Sequence, residues 1–458
     1  MDLIILDGHD VPDPQNMAML QALYSRDPSS VRSQLNKLRN VSKFMDSYVV
    51  KYGHGSIAQC GYITIFAEGV SMYLAKVIEH HNYYCGQETS SRYVDFAEQG
   101  CVRFSPAYDS IQDKWLAVYD KALGERREIV SYTNFSKSYS ALNDSEKKQV
   151  NPRAFDLARG FIPFGAKTNV SWTTNFDNLW KHLSWIKEHF QVPEMQKFVK
   201  DIELQIRAKY PDSFPALLGE EGTGASRENM GNAAVPMLGV EYFGNGKTFD
   251  MPCLNRKLYL SDTTVWKESD EENKRKQLVT DVYIRDIIDL GSWRDIQRHR
   301  NTVQAWPTWT EKLNSFYIDG LSYELQLEIK SLWKETKETI INEKNSDMIV
   351  TWREESWLIM PLAVNIEYGL KMSLYQMFYI IRARYQETVH ATARETVASW
   401  FYSYVEDSDI TGNNEDLERI VNREDLRLAV METAKHATSE NKYKISVKRA
   451  SQTIEEKK

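Results

Sequence analysis

The chain has 458 residues, of which 42% are hydrophobic and 26% charged, and its formal net charge is -7. This length is enough for roughly two or three domains, and the hydrophobic fraction supports packed cores and argues against disorder. The negative net charge disfavours a broad nucleic-acid surface, because binding a phosphate backbone needs clustered positive charge. It does not exclude a small anionic ligand, which needs only a few well-placed arginines.

Neither a membrane span nor a secretion signal is predicted. The most apolar stretch, residues 61–78, contains Glu68 and Lys76, and the N-terminus lacks a basic region followed by an apolar run. The cysteines form no CxxC pair and have no zinc-like spacing with histidine, which indicates free thiols in a reducing cytoplasm. They are Cys60, Cys85, Cys101 and Cys253. We therefore expect a cytoplasmic protein with no membrane or nucleic-acid partner.

The first elements follow a simple order. Residues 3–6 are predicted to form a short strand, which a helical region follows. The β-branched and aromatic residues of 62–67 predict a second strand, and the apolar spacing of 70–81 predicts a helix. A polar loop and a strand at 93–96 are expected next.

A similar order recurs from Leu278, with a strand, a helix, a histidine-containing triplet and a polar loop. Residues 80–82 then align with 298–300. On this register the loop residues Glu88, Ser90 and Arg92 lie opposite Trp306, Thr308 and Thr310. In the second unit Trp306 and Trp309 therefore occupy the position of that loop, and they are candidates to close the inactive pseudo-site there.

The later part of each unit repeats as well. Aligning Pro163 with Pro361 places Asn175 opposite Ser373 and puts Arg384 opposite an isoleucine. Each proline-containing segment is expected to lead into an amphipathic helix, since proline is tolerated at a helix start. Strand–helix order is common by chance, but the triplet and the proline-led helix recur in the same order. This recurrence indicates an internal duplication.

Several of these segments resemble the flavin-dependent thymidylate synthases. The triplet RHR is intact at 298–300, and ETSSRY at 88–93 is similar to the family's SxR loop. HGS at 54–56 with the following TIFAEGVS resembles the flavin-contacting strand and helix. The segments 158–175 and 358–384 both resemble the family's C-terminal helix region.

This resemblance covers about 41–200 and 255–406 and implies an α+β fold. It implies two tandem copies of a flavin-dependent thymidylate synthase-like domain, each a mostly antiparallel sheet packed with helices. The first copy is expected at 1–210, with its core at about 41–200. A Gly-rich linker at 211–254, a second copy at 255–410 and a charged tail at 411–458 follow.

Each copy has lost a different part of the family pattern. The first copy has His80-His81-Asn82 where RHR is expected and Ile186 where the family has an arginine against the uracil. The second copy lacks the SxR loop and has Trp357 where the first has Arg159. In the family each nucleotide site lies between two subunits, and the retained residues fall on opposite sides of that boundary. The resemblance therefore implies one complete type of site, built from both copies.

The resemblance implies a dUMP site and a catalytic arginine. A nucleotide monophosphate carries almost two negative charges, which forked guanidinium groups and hydroxyls can bind, although each arginine alone could equally form a surface ion pair. The dUMP-binding residues implied are Glu88, Ser90, Ser91, Arg92, Arg159 and Arg298. Arg384 is implied as the catalytic residue, because a guanidinium beside the uracil ring stabilises developing negative charge.

The implied cofactor is FAD, with NADPH and methylenetetrahydrofolate as co-substrates. The flavin contacts implied are Arg298, His299, Arg300, His54, Ser56 and Asn175. The RHR triplet could also be a basic helix end that complements the helix dipole, and the last three could be caps or buried polar groups. No metal site is predicted, because adjacent histidines at 80 and 81 diverge by about 100° on a helix.

The resemblance thus implies reductive methylation of dUMP to dTMP by a homodimer that forms a pseudo-tetramer of four domains. Two alternatives stay open at the level of sequence. One is another C5 modification of a pyrimidine nucleotide, such as hydroxymethylation. The other is a nucleotide-binding protein without catalytic activity, which the altered first triplet would suggest.

Overall fold

The computed structural model describes residues 13–25, 31–35, 38, 41–51, 55–81, 83–210, 257–260, 281–342, 354–386 and 389–406. The strand predicted at 3–6, the linker at 211–254 and the tail at 411–458 lie outside the described residues.

The first half of the chain contains two long strands surrounded by helices. Asp13 caps the first helix by accepting hydrogen bonds from the backbone N–H groups of Gln15 and Asn16. The helices and strands are Pro14–Tyr24 (α1), Val31–Leu35 (α2), Val41–Met45 (α3), Gly55–Ala58 (α4), Tyr62–Ser71 (β1), Met72–Glu79 (α5), Pro106–Phe135 (α6), Asp144–Ala158 (α7), Lys167–Asn175 (β2), Phe176–His189 (α8) and Pro193–Lys209 (α9).

The second half follows a similar order, and Asp289 caps its first helix as Ser71 caps α5. Its helices and strands are Lys257–Leu260 (β3), Asp281–Asp289 (β4), Leu290–Gln297 (α10), Val303–Gln304 (β5), Thr308–Leu313 (β6), Ser315–Ile318 (α11), Tyr323–Asn342 (α12), Val364–Ser373 (β7), Leu374–Arg384 (α13) and Ala391–Glu406 (α14).

The described strands form two antiparallel sheets. β1 pairs with β2, and β4 pairs with β7 at the centre of a second sheet to which β3, β5 and β6 add. One continuous hydrophobic core lies beneath both sheets and contains side chains from both halves, such as Trp115 and Tyr317. The fold is therefore α+β, as predicted.

Two predicted elements of the first half differ from the structure. β1 runs on to Ser71, and α5 begins only at Met72, because the Ser71 hydroxyl accepts a hydrogen bond from the Leu74 N–H and caps the helix. The strand predicted at 93–96 is wrong. Those residues form turns, in which the Ser90 hydroxyl accepts from Arg92 N (3.3 Å) and the Asp95 carboxylate accepts from Ala97 N (3.0 Å).

The strands β2 and β7 were not predicted, although they pair with β1 and β4 over most of their lengths. Each lies between a proline-containing segment and the predicted helix. The Pro163 and Pro361 segments therefore lead into strands, and α8 and α13 begin only where those strands end. Asn175 and Ser373 cap these two helices.

The two proline segments cross in an antiparallel arrangement with Pro163 opposite Pro361. Phe164 N donates to Met360 O (2.8 Å), and Leu362 N donates to Ile162 O (3.0 Å). Gly165 N donates to Leu358 O (2.9 Å), and Ala363 N donates to Gly160 O (2.6 Å). Each of these hydrogen bonds has a counterpart in which the two segments exchange roles, so the halves meet around a local two-fold relation.

The long helices α6 and α12 complete the contact between the halves. The buried Trp115 Nε1 donates to Thr336 Oγ1 at 3.0 Å. At the exposed edge of the same contact, Lys121 pairs with Glu328 at 2.7 Å. Because buried side chains and backbone groups of both halves are bonded to one another, the relative position of the halves is fixed.

We expect Gly165→Ala to weaken this contact. A Cβ there would lie 2.6 Å from Leu358 O and 2.2 Å from Gln112 Nε2, which itself donates to that oxygen. We predict a loss of about 2–4 kcal/mol in the free energy of unfolding, measured by chemical denaturation.

Gly124→Ala is the matched control. Gly124 lies within α6 and a Cβ there meets nothing within 4 Å. Alanine should therefore stabilise the helix by about 0.5–1 kcal/mol. Equal effects of the two substitutions would contradict a tight crossing of the proline segments.

Candidate active site

Glu88 joins the two halves in a buried ionic network. Its side chain has no exposed surface, and Arg294 Nη2 of α10 donates to both carboxylate oxygens at 2.8 and 2.9 Å. Lys76 of α5 pairs with the same carboxylate at 2.8 Å and also with Glu79. Burial raises the cost of the charged carboxylate, but Arg294 and Lys76 outweigh it and lower the pKa of Glu88 to about 2.

The predicted phosphate ligands Arg92 and Arg159 lie together, and each is paired with an acid. Arg92 Nε contacts Asp156 Oδ1 at 2.8 Å. Arg159 is almost fully buried, and its Nη2 contacts Asp295 Oδ2 of α10 at 3.2 Å, while its Nη1 lies 3.9 Å from Asp156. The two arginines therefore converge through Asp156, and Arg159 also reaches the second half.

Asp295 is the centre of a cluster of four arginines. Burial alone would raise its pKa, but the charges of Arg159, Arg92, Arg298 and Arg384, in decreasing order, hold it far below its ordinary value. Two of these arginines come from each half of the chain. The residues that we predicted to bind phosphate and to polarise the uracil thus surround one position.

The RHR triplet follows α10, where its three side chains have different partners. Arg298 is 42% exposed and reaches Glu88 at 3.9 Å. His299 Nε2 accepts a hydrogen bond from Arg384 Nε at 2.7 Å. Burial and then the charge of Arg384 lower the pKa of His299 to about 3, so the ring is neutral at pH 7 and orients the catalytic candidate. The Arg300 guanidinium lies 4.8 Å from the centre of the Tyr84 ring.

The remaining predicted residues fall into two groups. Ser90 and the buried Ser91 lie in the turn beside Arg92. Asn175 accepts from Asn178 N as a helix cap, and Ser56 is exposed in the nearby α4. Tyr84 donates to Ser171 O, which lies about 13 Å along β2 from Asn175 at ~3.3 Å per residue. His54 lies outside the described residues.

The equivalent position on the other side of the two-fold relation is filled by rings. The Trp306 ring lies 5.3 Å from His80, 5.4 Å from Phe190, 5.9 Å from Tyr73 and 6.3 Å from Trp357. We call these five residues the aromatic cluster. Trp306 aligns with Glu88 and Trp357 with Arg159, so apolar packing replaces the ionic network there.

The sequence prediction missed two acids of the site, Asp156 and Asp295, and two cations, Lys76 and Arg294. Lys76 and Arg294 align with one another under the register that places 80–82 opposite 298–300, which is a signal we did not use. Asp295 and Arg298 are three positions apart at the end of α10, and this spacing puts both on one helix face. Asp156 has the same spacing from Arg159, whose Nη1 lies 3.9 Å from its carboxylate.

The family comparison agrees with this geometry for the first half. Residues 9–212 match the family described as "Thymidylate synthase complementing protein". Over these residues the chain is similar to that family, and this part of the resemblance drawn from the sequence is confirmed. No curated protein matches the chain.

Two further findings apply to the part of the chain that the structure describes. It contains no group of three or more histidine, cysteine or acidic residues arranged to hold a metal ion. None of its helices is both long enough and apolar enough to cross a bilayer.

We expect Glu88→Gln to destabilise the protein strongly, because it leaves Arg294 buried without its carboxylate and removes one of the two carboxylates that pair with Lys76. The predicted loss is about 3–5 kcal/mol in the free energy of unfolding. Glu328→Gln, in the exposed pair with Lys121, is the control and should cost less than about 1 kcal/mol. The Glu88 contribution exists above the ordinary pKa of a glutamate, near 4.5, and is lost as the pH falls toward about 2. A pH-independent difference between the wild type and Glu88→Gln across that range would contradict this assignment.

His80 of the aromatic cluster and the buried His81 next to it predict a second pH range in which acid destabilises the protein. Burial lowers the pKa of both His80 and His81 to about 4, and the charges of Lys181 and of His80 once it is protonated add to the shift at His81. The unfolded chain takes up protons below about 6.5 while the folded chain does not, so stability falls from pH 6.5 to about 4. His81→Gln should reduce this slope in urea unfolding, and an unchanged slope would contradict the assignment to His81.

Proposed function

We propose that this protein is a flavin-dependent thymidylate synthase that methylates dUMP to dTMP with methylenetetrahydrofolate and NADPH. The observation that carries the proposal is the meeting of Arg92 and Arg159 of the first half at Asp156, with Asp295 of the second half 3.2 Å from Arg159. The family match over residues 9–212 supports the same class of reaction.

We propose further that the chain is a tandem duplication whose halves share one site. The exchanged hydrogen bonds at Pro163 and Pro361 support this, since duplicated domains often keep a two-fold contact. The replacement of Glu88 and Arg159 by Trp306 and Trp357 across that contact supports a single working site per chain. In this proposal two chains pair, so that four domains form the assembly.

The phosphate of dUMP is placed beside Arg92 and Arg159, with the hydroxyls of Ser90 and Ser91 as further donors. Arg298 belongs to the second half and is more exposed than Arg92 and Arg159. In this proposal it contacts the nucleotide or the flavin beside it. Glu88 has no exposed surface, so we assign it a positioning role. It holds the loop of the first half against α10 of the second through Arg294.

Arg384 is assigned the catalytic role. Its guanidinium stabilises negative charge on the uracil ring as C5 becomes nucleophilic, which requires no cysteine. The neutral His299 fixes Arg384 through the 2.7 Å hydrogen bond to Nε and leaves the terminal guanidinium nitrogens for the ring.

The residues beside this position fit a flavin dinucleotide. Arg298 offers an exposed cation, and the buried Arg300 Nε has no partner among the described residues. Arg298 and Arg300 would hold the anionic diphosphate, with Ser56 and Asn175 farther along the β1–β2 sheet and His54 outside the described residues. When bound, a reduced flavin supplies the hydride for the methyl group.

Two measurements on the purified protein test the function. We expect the visible absorption of bound flavin and release of tritium from C5 of labelled dUMP in the presence of both co-substrates. A hydroxymethylated product, identified by mass, would replace methylation with another C5 modification. A colourless protein that binds dUMP without releasing tritium would reject catalysis.

Arg92→Ala and Arg384→Ala should each lower kcat/KM by about 10²–10³-fold, although they lie in different halves of the chain. An equimolar mixture of the two variants should stay inactive, because each site needs both residues from one chain. Arg103→Ala, at an exposed surface pair with Asp113, is the control and should keep wild-type activity. Recovery of activity on mixing would mean that the sites form between chains.

A further inference from the structure

Asp295 is an anion inside a site that we expect to bind an anion. Its Oδ2 lies 3.2 Å from Arg159 Nη2, and its side chain is 18% exposed, so a ligand can reach it. Asp156, by contrast, belongs to the same half as Arg92 and Arg159 and bridges these two arginines. Asp295 is the acid that the second half contributes.

The position of Asp295 on α10 is fixed by its surroundings. The neighbouring Arg294 is tied to Glu88, and Arg298, one turn later on the same face, ends the helix. The backbone of α10 therefore brings the carboxylate to 3.2 Å from Arg159 Nη2. A phosphate that binds Arg159 must either displace this carboxylate from the guanidinium or remain close to a like charge, and both cost free energy.

We propose that Asp295 is a specificity-determining residue that competes with the phosphate of the ligand for Arg159. It holds Arg159 in place in the empty site and weakens binding of the monophosphate. This inference rests on the proposed nucleotide site. It predicts that removing a site carboxylate increases affinity, which is the opposite of what a ligand-binding or purely structural role would give.

The test compares the full-length wild type with Asp295→Asn by titration calorimetry, using dUMP, inorganic phosphate and deoxyuridine as separate probes. Asp295→Asn should bind dUMP and phosphate at least about tenfold more tightly, while deoxyuridine binding stays the same. The gain should shrink at high salt, because exposed charges are screened. Asp295→Glu, which keeps the charge, should show no gain.

Asp113→Asn is the matched control, since it removes a carboxylate from an arginine pair far more exposed than Arg159–Asp295. It should leave all three affinities unchanged. Asp295→Ser gives the same comparison if Asp295→Asn fails to fold, as judged by thermal unfolding.

Two results would overturn the proposal. Weaker binding of both dUMP and deoxyuridine to Asp295→Asn would mean that the carboxylate accepts a hydrogen bond from the nucleoside. Unchanged or weaker binding of both dUMP and phosphate would also exclude competition. If phosphate binding tightens but dUMP binds to neither protein, the competition stands and the proposed nucleotide function fails.

Discussion

The buried carboxylate of Glu88 is the interaction on which the arrangement of the site depends. It is provided by a loop of the first half and neutralised by Arg294 of the second half and Lys76 of the first. A buried ion pair of this kind adds little net stability compared with apolar packing, but it is very unfavourable when one partner is missing. Its effect is therefore to select one relative position of the loop and α10. That position brings Arg92 and Arg159 to the same place as Arg298 and Arg384.

The sequence predicted the order of the elements better than their limits. The repeat of strand, helix and histidine triplet was visible because apolar periodicity marks β1, α5 and α10 directly. The strands β2 and β7 were not predicted, because the prolines indicated helix starts. TNVSWTT in β2 is nevertheless rich in β-branched residues, which favour strands. The error at 93–96 has the opposite cause. Aromatic and β-branched residues suggested a strand, and local hydrogen bonds from Ser90 and Asp95 form turns instead.

For the candidate site, resemblance identified the cations and structure identified their partners. Motifs report residues that recur at fixed spacing, so Arg92, Arg298 and Arg384 were visible in the sequence. The shortest contacts of Asp156 and Asp295 are with Arg92 and Arg159, which are distant from them in the chain, and a single sequence contains no signal for such contacts. The consequence is chemical as well as structural. Arg92 and Arg159 already form ion pairs with Asp156 and Asp295. Binding of a phosphate would therefore exchange these carboxylate partners for phosphate oxygens.

The two sides of the two-fold relation have similar backbone arrangements, but one side is filled by an ionic network and the other by aromatic rings. On one side Glu88 and Arg159 require matching charges from the other half, and every change there must preserve the balance. On the other side Trp306 and Trp357 pack ring against ring and need no matching charges from the other half. Filling that side with rings gives the two halves a core that does not depend on a ligand. The polar side can then keep Arg298 exposed and Arg92 partly exposed, where a ligand can reach them, because the aromatic cluster packs the two halves together without charges.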